Sequence, residues 1–277
     1  MRAKFIDIDG IRTRYLYEGE ANERALLLIH GGGVSADTWL FNIDALAKTF
    51  AVYAPDNIGH GFTASIELGG DLPQPHTTRH LARFMEVLGI ERYAVAGSSY
   101  GALIAALLYF EHPKRVGKLI LIGSSSVFDS DENNKKALQG AYDNAAKAIG
   151  SPDLAACRQR MNNAVFDPSC VPESLLIMQL TQYAQPDRVE FYVKANRNRV
   201  NAKGPMQYRV VDRLEQIQVP TLVITGKQDK RTDWENTERA VRRLPKGQAQ
   251  TIDRCGHLPY IEHPQVFNSL VGNFLSS

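Results

Sequence analysis

A serine between two glycines marks the point at which this chain turns sharply from a strand into a helix. Residues 97–101 read Gly-Ser-Ser-Tyr-Gly, follow a lead-in at 91–96 that becomes apolar, and run into small and apolar residues at 102–108. Glycine on either side of the serine tolerates the close backbone contacts of a tight turn, and the turn pushes the serine side chain outward. The pattern predicts a strand, a turn and a helix, with Ser99 presented as a nucleophile.

A serine hydroxyl is a weak nucleophile unless a base takes its proton and an acid orients that base. Candidates for both follow later strand-like segments. Asp229 comes directly after the apolar stretch 219–225, and His257 comes after a short strand predicted at 249–252. The order Ser, Asp, His is typical of a nucleophile carried on a strand-to-helix turn. We therefore predict Ser99, His257 and Asp229 as the catalytic residues.

Acyl transfer also needs hydrogen-bond donors for the oxyanion. The apolar stretch 26–29 runs into His-Gly-Gly-Gly at 30–33, and glycines there allow the backbone to approach a ligand closely. We predict the backbone N–H groups of Gly32 and of Tyr100, the residue after the nucleophile, as the donors. His30 is interpreted as a structural brace of this loop.

Composition narrows the class of protein. The 277 residues, 44% of them hydrophobic, suffice for a full core, and no apolar run approaches the length of a membrane span. A net charge of +2 does not favour a polyanion such as nucleic acid. Three cysteines form no even framework, and the histidines lack metal-ligand spacing. We expect a cytoplasmic protein that binds a small-molecule substrate and uses no metal or cofactor. We expect no membrane partner, and the sequence is compatible with a homo-oligomer.

The remaining pattern predicts one domain with an insertion. Strands at 4–8 and 13–17 form an opening hairpin, and a helix is expected over 237–244. After the sixth strand the alternation of strands and helices stops, and helical segments broken by prolines follow. The predicted division is a core of residues 1–127 and 209–277 with a helical cap at 128–208.

The cap is expected to roof the pocket above Ser99, because ligands in parallel sheets bind beyond the carboxyl ends of the strands. The predicted pocket residues are Gly33, Ser98, Met178 and Leu258. A basic cluster in the cap is interpreted chiefly as a solvated helix face, with carboxylate capture as the alternative; its members are Lys194, Arg197, Arg199 and Lys203.

Taken together, these motifs resemble the α/β-hydrolase superfamily over nearly the whole chain. The matching stretches are 30–33, 56–61, 97–101, 220–229, and 255–257 with 262–264. The resemblance implies an eight-stranded, mostly parallel sheet with helices on both faces and a cap after the sixth strand. A serine at the turn, where related dehalogenases and epoxide hydrolases carry aspartate, indicates acyl chemistry.

Within that superfamily the chain is most similar to the carbon–carbon bond hydrolases of meta-cleavage products, but three positions depart from their pattern. Asparagine usually precedes the nucleophile and tryptophan usually follows the histidine, whereas this chain has Ser98 and Leu258. The cap segment 173–186, which should supply a carboxylate-binding arginine, contains none.

Three functions follow as hypotheses. The leading one is a serine hydrolase that cleaves a small, apolar or aromatic ester or related acyl substrate through an acyl-enzyme. The alternative is a carbon–carbon bond hydrolase of a 2-hydroxy-6-oxo-dienoate, with the substrate carboxylate held by Arg160 or Arg188. The third is a cofactor-free, non-hydrolytic enzyme or a ligand-binding protein, since fold does not dictate function.

Overall fold

The computed structural model describes residues 1–201 and 208–277, and eight of its segments form one sheet. The strands are β1 Arg2–Ile8, β2 Ile11–Glu18, β3 Ala25–Ile29, β4 Ala51–Pro55, β5 Tyr93–Ser98, β6 Val116–Ile122, β7 Thr221–Gly226 and β8 Gly247–Ile252. Their order across the sheet is β1-β2-β4-β3-β5-β6-β7-β8. The strands from β4 to β8 in this order are parallel, while β1 and β2 are antiparallel to their neighbours.

Both faces of the sheet are covered, which explains why its central strands are apolar throughout. Along β3, Leu26 and Leu28 pack in one hydrophobic cluster, whereas Leu27 and Ile29 pack in another on the opposite face. Alternate side chains of a strand point to opposite faces, so both sets must be apolar when helices cover both sides. The sequence-based prediction of an α/β-hydrolase fold is confirmed.

Helices follow the strands along the chain. They are α1 Ile43–Leu46, α2 Pro73–Val87, α3 Tyr100–Glu111, α4 Ser125–Phe128, α5 Asp131–Gly150, α6 Leu154–Asn162, α7 Glu173–Tyr183, α8 Arg188–Asn201, α9 Trp234–Val241, α10 Pro259–Glu262 and α11 Pro264–Ser276. In the described ranges, none of them is both long and apolar enough to span a membrane.

Several predicted boundaries differ from the structure by two or three residues, and two of these differences have a local cause. The helix expected over 237–244 begins one turn earlier, because the Asp233 carboxylate accepts a 3.1 Å hydrogen bond from the Asn236 backbone N–H and caps α9. The strand expected from residue 219 begins at Thr221, because Pro220 has no N–H to donate.

Helices α4 to α8 lie between β6 and β7 and form the inserted helical region. This region is tied to the core by polar contacts. The Gln182 side-chain amide donates to Ser35 Oγ at 2.7 Å and to Asp37 Oδ2 at 2.9 Å, and Arg14 pairs with the same Asp37 carboxylate at 2.7 Å. The cap limits 128–208 stay a prediction, and Lys203 of the basic cluster lies outside the described residues.

Candidate active site

Ser99 lies on a strained turn between β5 and α3. Its φ of 54° and ψ of −114° are unusual for a residue with a side chain. A Cβ at Gly97 would lie 2.1 Å from the Gly101 carbonyl oxygen, and one at Gly101 would lie 2.2 Å from the Ile29 carbonyl oxygen. Both positions therefore require glycine. The Ser99 backbone N–H donates to the Ile122 carbonyl at 2.8 Å, which holds the turn on β6.

Asp229 and His257 meet at the carboxyl ends of β7 and β8. The His257 Nδ1 lies 2.8 Å from Asp229 Oδ2, and because a carboxylate only accepts, Nδ1–H is the donor. The Arg231 backbone N–H donates to the other Asp229 oxygen at 2.8 Å. Burial raises the pKa of Asp229, but His257 and the Arg231 N–H outweigh burial and hold that pKa below its usual value.

The other ring nitrogen of His257 is unpaired in the part of the chain that the structure describes. Its Nε2 is buried and has no hydrogen-bond partner within residues 1–201 and 208–277. Gly123 lies behind the pair, where an added Cβ would be 3.3 Å from His257 Nδ1 and 3.4 Å from Asp229 Oδ2. The end of β6 therefore leaves room for the imidazole to stay against the carboxylate.

Glu262 shapes the loop that carries His257. Its carboxylate accepts hydrogen bonds from the backbone N–H groups of Gly256, at 2.9 Å, and Leu258, at 3.3 Å. The same carboxylate accepts from the Phe166 N–H at 2.7 Å, a residue between α6 and α7. Sequence reasoning missed this role of Glu262, although a glutamate five residues after the predicted base was visible in the chain.

The glycine loop at 30–33 is held by a hydrogen bond on its core side, and cap side chains lie against Gly33 on the other side. His30 is fully buried, and its Nε2 accepts from the Asn57 backbone N–H at 2.9 Å, which confirms its structural interpretation. A Cβ on Gly33 would lie 2.9 Å from Arg160 Nη2 and 3.0 Å from the Tyr192 ring, so this glycine makes room for cap side chains. Tyr100, the other predicted oxyanion residue, is the first residue of α3, where backbone N–H groups lack a partner within the helix.

Two small chambers adjoin Ser99. The Leu258 chamber has a volume of about 30 Å³, and the residues that line it and not the other chamber include Ser98, Met161, Ala164, Leu258 and Tyr260. The Tyr100 chamber has a volume of about 50 Å³, and the residues particular to it include Tyr100, Leu138, Tyr192, Asn196, Arg199 and the serines at 124–126. Both chambers share Gly32, Ser99, Arg160, Arg231 and His257.

A larger cleft of about 610 Å³ lies between α5 and the loop after β7. It is of the size that small-molecule sites usually have, whereas each chamber is far smaller. Arg231 lines the cleft and both chambers, so it forms part of the boundary between them.

The chambers are strongly cationic. Arg160, Arg199 and Arg231 line the Tyr100 chamber, and no Asp or Glu occurs among its described lining residues. Arg160 donates to the Gly32 carbonyl at 3.2 Å and to the Tyr183 hydroxyl, which in turn donates to the Gly33 carbonyl at 2.7 Å. Burial lowers the pKa of Arg231, and the neighbouring charge of Arg160 lowers it further.

The structure brings most of the predicted site residues together. Ser98 and Leu258 line the Leu258 chamber, and the Arg160 guanidinium occupies the space that a Cβ on Gly33 would need. Met178 is half-buried on α7 and is not among the described lining residues of either chamber; Met161 is the methionine found there. Of the two arginine candidates, Arg160 reaches the site, whereas Arg188 donates to the Thr63 carbonyl at 2.8 Å and lines neither chamber.

Some members of the basic cluster face solvent, and one reaches the site. Arg197 is exposed and Lys194 pairs with Glu67 on the surface, as expected of a solvated helix face. Arg199 turns inward, contrary to that interpretation. The signal that sequence reasoning missed is the spacing of Tyr192, Asn196 and Arg199, which places all three on one face of α8.

Comparison with known proteins agrees with this geometry. The model of the alpha/beta hydrolase fold family matches residues 24–264. The chain belongs to the α/β-hydrolase family. A 2-hydroxy-6-oxononadienedioate/2-hydroxy-6-oxononatrienedioate hydrolase of Burkholderia vietnamiensis is 31% identical over 99% of this chain and 95% of its own length.

Solved structures give the same fold. A meta-cleavage product hydrolase from Pseudomonas fluorescens IP01 is 26% identical and superimposes with a TM-score of 0.79, covering 99% of this chain and 97% of its own. An esterase from Thermogutta terrifontis, 21% identical, has a TM-score of 0.79 and covers 100% and 98%. The second likeness shows the fold alone, so the α/β-hydrolase assignment does not decide between carbon–carbon and ester bonds.

Proposed function

We propose that this protein is a carbon–carbon bond hydrolase of 2-hydroxy-6-oxo-dienoates, with Ser99 as nucleophile, His257 as base and Asp229 as its orienting acid. The observation that carries the proposal is the position of Arg160. Its guanidinium lies beside Ser99 and the glycine loop, and no carboxylate of the described residues lies within ion-pair distance of it. A buried cation without a counter-ion is costly, and an anionic substrate removes that cost.

The proposal departs from the leading sequence-based hypothesis of a neutral ester. That hypothesis relied on the missing arginine in segment 173–186, and Arg160 on α6 supplies the charge from another helix. Arg231 adds a second cation at the same position. Similarity to the Burkholderia vietnamiensis hydrolase over nearly the whole chain supports the same reaction.

The reaction starts from the dienol form of the substrate, whose 2-hydroxyl proton moves to C5 and leaves a ketone at C2. Ser99 Oγ then adds to the C6 ketone while His257 Nε2 takes its proton. The N–H groups of Gly32 and Tyr100 bind the oxyanion that forms at C6. Arg160 binds the C1 carboxylate.

Collapse of this adduct breaks the C5–C6 bond. The bonding electron pair passes into the dienolate of the leaving half, His257 returns its proton to the dienolate oxygen, and the acyl group stays on Ser99. Arg160 and Arg231 stabilise the extra negative charge of the dienolate. Water, deprotonated by His257, then releases the acid and restores Ser99.

The test compares two substrates with the same acyl half. 2-Hydroxy-6-oxonona-2,4-dienoate and 4-nitrophenyl butyrate both leave a butanoyl group on the serine. We expect kcat/KM at least about tenfold higher for the dienoate, a difference of about 1.4 kcal/mol. Arg160→Gln should lower the dienoate-to-ester ratio at least about tenfold.

The matched control is Arg158→Gln on the same helix, because Arg158 is exposed and only 3.8 Å from Glu173 on the surface. This variant should keep the wild-type ratio. A preference for the ester that Arg160→Gln does not change would overturn the carbon–carbon assignment and restore the ester hydrolase.

A further inference from the structure

We infer that Arg199 forms a second anion-binding position in the Tyr100 chamber, so that the acyl half of the substrate carries its own carboxylate. The inference deepens the proposed function and rests on it for the identity of the bond cleaved. Arg160 lines both chambers, whereas Arg199 lines the Tyr100 chamber and is not among the described lining residues of the Leu258 chamber. Arg199 is therefore the arginine that distinguishes the Tyr100 chamber.

Arg199 is held in place without a counter-ion. Its guanidinium lies over the Tyr100 ring, 4.6 Å from the ring centroid, which orients the charge by a cation–π contact. Its Nε is buried and has no hydrogen-bond partner among the described residues. No Asp or Glu of residues 1–201 and 208–277 pairs with it, and segment 202–207 contains neither residue type.

The other groups of this chamber suit a carboxylate. Asn196 and the serines at 124–126 line it beside Arg199, and amides and hydroxyls donate hydrogen bonds to carboxylate oxygens. Burial lowers the pKa of Arg199, the sign expected when a cation is removed from water without compensation. An anion bound beside Arg199 would favour the charged guanidinium and raise this pKa again.

The arrangement of the chambers assigns the charge to the acyl half. The acyl carbon bonded to Ser99 has its oxyanion at Gly32 and Tyr100, and Tyr100 belongs to the chamber that contains Arg199. Leu258, next to the base that protonates the leaving half, lines the other chamber. The leaving dienolate therefore occupies the Leu258 chamber and the acyl chain the Tyr100 chamber, where Arg199 adds a cation to the two arginines that both chambers share.

The first experiment uses esters, so that it does not depend on carbon–carbon cleavage. 4-Nitrophenyl hemisuccinate and 4-nitrophenyl butyrate have acyl chains of similar size that differ in a terminal carboxylate. The wild-type protein should hydrolyse the hemisuccinate with a kcat/KM at least about tenfold higher. Arg199→Gln should lower this hemisuccinate-to-butyrate ratio at least about tenfold.

The matched control is Arg197→Gln, an exposed arginine of the same helix two residues away, which should keep the wild-type ratio. Near-ultraviolet circular dichroism of the variants verifies that the fold is retained. A wild-type preference for butyrate, or a ratio that Arg199→Gln leaves unchanged, would overturn the second anion position.

The second experiment separates this inference from the proposed function. Two 2-hydroxy-6-oxo-dienoates are compared, one with a 2-carboxyethyl group on the ketone and one with a propyl group. Preference for the 2-carboxyethyl substrate, lost in Arg199→Gln, supports both statements. Cleavage of both dienoates with no Arg199-dependent preference overturns the inference alone, whereas hemisuccinate selectivity without cleavage of either dienoate overturns the proposed function alone.

Discussion

The backbone N–H of His257 donates a 2.7 Å hydrogen bond to the carbonyl oxygen of Ala164, a residue of the inserted helical region. A Cβ on the preceding Gly256 would lie 2.7 Å from the Phe166 nitrogen, so the two segments are in direct backbone contact. The position of the proposed base thus depends on the segment that follows α6 as well as on the core loop. Glu262 joins both segments through its carboxylate.

Replacing Glu262 should therefore reduce turnover without removing any proposed catalytic group. In Glu262→Ala the N–H groups of Gly256 and Phe166 lose their acceptor, and His257 shifts relative to Ser99. A displacement of about 1 Å costs about 100-fold in rate, so we expect kcat to fall by about that factor. Glu262→Gln retains one carbonyl acceptor, so its kcat should lie between those of the wild-type protein and Glu262→Ala.

Steady-state kinetics measures this effect, and Glu235→Ala, an exposed glutamate on α9, is the control that should keep wild-type kcat. A Glu262→Ala protein that is folded by circular dichroism and turns over within threefold of wild type would show that the loop holds its position without this carboxylate.

Two substitutions of Ser99 should separate catalysis from backbone strain. Both Ser99→Ala and Ser99→Gly remove the hydroxyl, and both should lower turnover by at least about 1000-fold. Because Ser99 has φ 54° and ψ −114°, alanine retains the strain of a side chain there, whereas glycine relieves it. Such strain costs about 1–3 kcal/mol, and glycine loses about 0.5–1 kcal/mol through its greater chain entropy.

Urea unfolding should consequently show Ser99→Gly to be more stable than Ser99→Ala by about 1 kcal/mol. The alanine variant is the matched control, since the two proteins differ only in Cβ. Equal or lower stability of the glycine variant would contradict strain at the turn, and residual turnover above about a tenth of wild type in either variant would contradict Ser99 as the nucleophile.

The free energy of unfolding should decrease as the pH falls below about 6.5, because three histidines removed from water resist protonation. Burial lowers the pKa of His30 and His80 to about 4 and that of His60 to about 3. In the unfolded chain a histidine titrates near about 6.5, so between about pH 6.5 and pH 4 the unfolded state binds protons that the folded state does not. The stabilisation is fully present above about pH 6.5 and is lost as the pH falls through the folded-state values, by up to about 1.4 kcal/mol per pH unit for each histidine.

His80→Gln tests this pH dependence. The His80 Nε2 lies 2.8 Å from Thr13 Oγ1, and a glutamine amide offers a polar group there that does not titrate. Urea unfolding between pH 5 and pH 8 gives the slope of the free energy of unfolding against pH. In the variant this slope should correspond to about one fewer proton taken up on unfolding. A slope identical to that of wild type would show that His80 does not contribute.

Local chemistry made the turn at Ser99 and the opening hairpin predictable. Gly97 and Gly101 are required because a Cβ at either position would lie less than 2.5 Å from a backbone oxygen, and this close approach follows from the turn itself. Asp9 and Gly10 both have positive φ, at 52° and 87°, which is the backbone that a two-residue hairpin turn demands. The order of Ser99, Asp229 and His257 was likewise visible, because parallel strands bring their carboxyl ends to one edge.

Long-range packing decided the charge of the pocket, and the sequence alone did not reveal it. Arg197 and Arg199 stand two residues apart in the same basic run, yet one is exposed and the other faces the Tyr100 ring. Likewise Met161 lines the Leu258 chamber, whereas Met178 was expected to line the pocket. Which face of a cap helix points inward depends on how that helix rotates and packs against the core, and a sequence pattern specifies faces without specifying what each face meets.

The sequence by itself therefore determined the fold, the turn at Ser99 and the candidate triad, since these follow from backbone geometry and strand order. Only the tertiary structure decided that Arg160, Arg199 and Arg231 converge on Ser99. The three come from α6, α8 and the loop after β7, which are far apart in the chain. Their convergence exists only after these segments pack over the sheet, because Coulomb interaction depends on distance in space and not on separation in sequence.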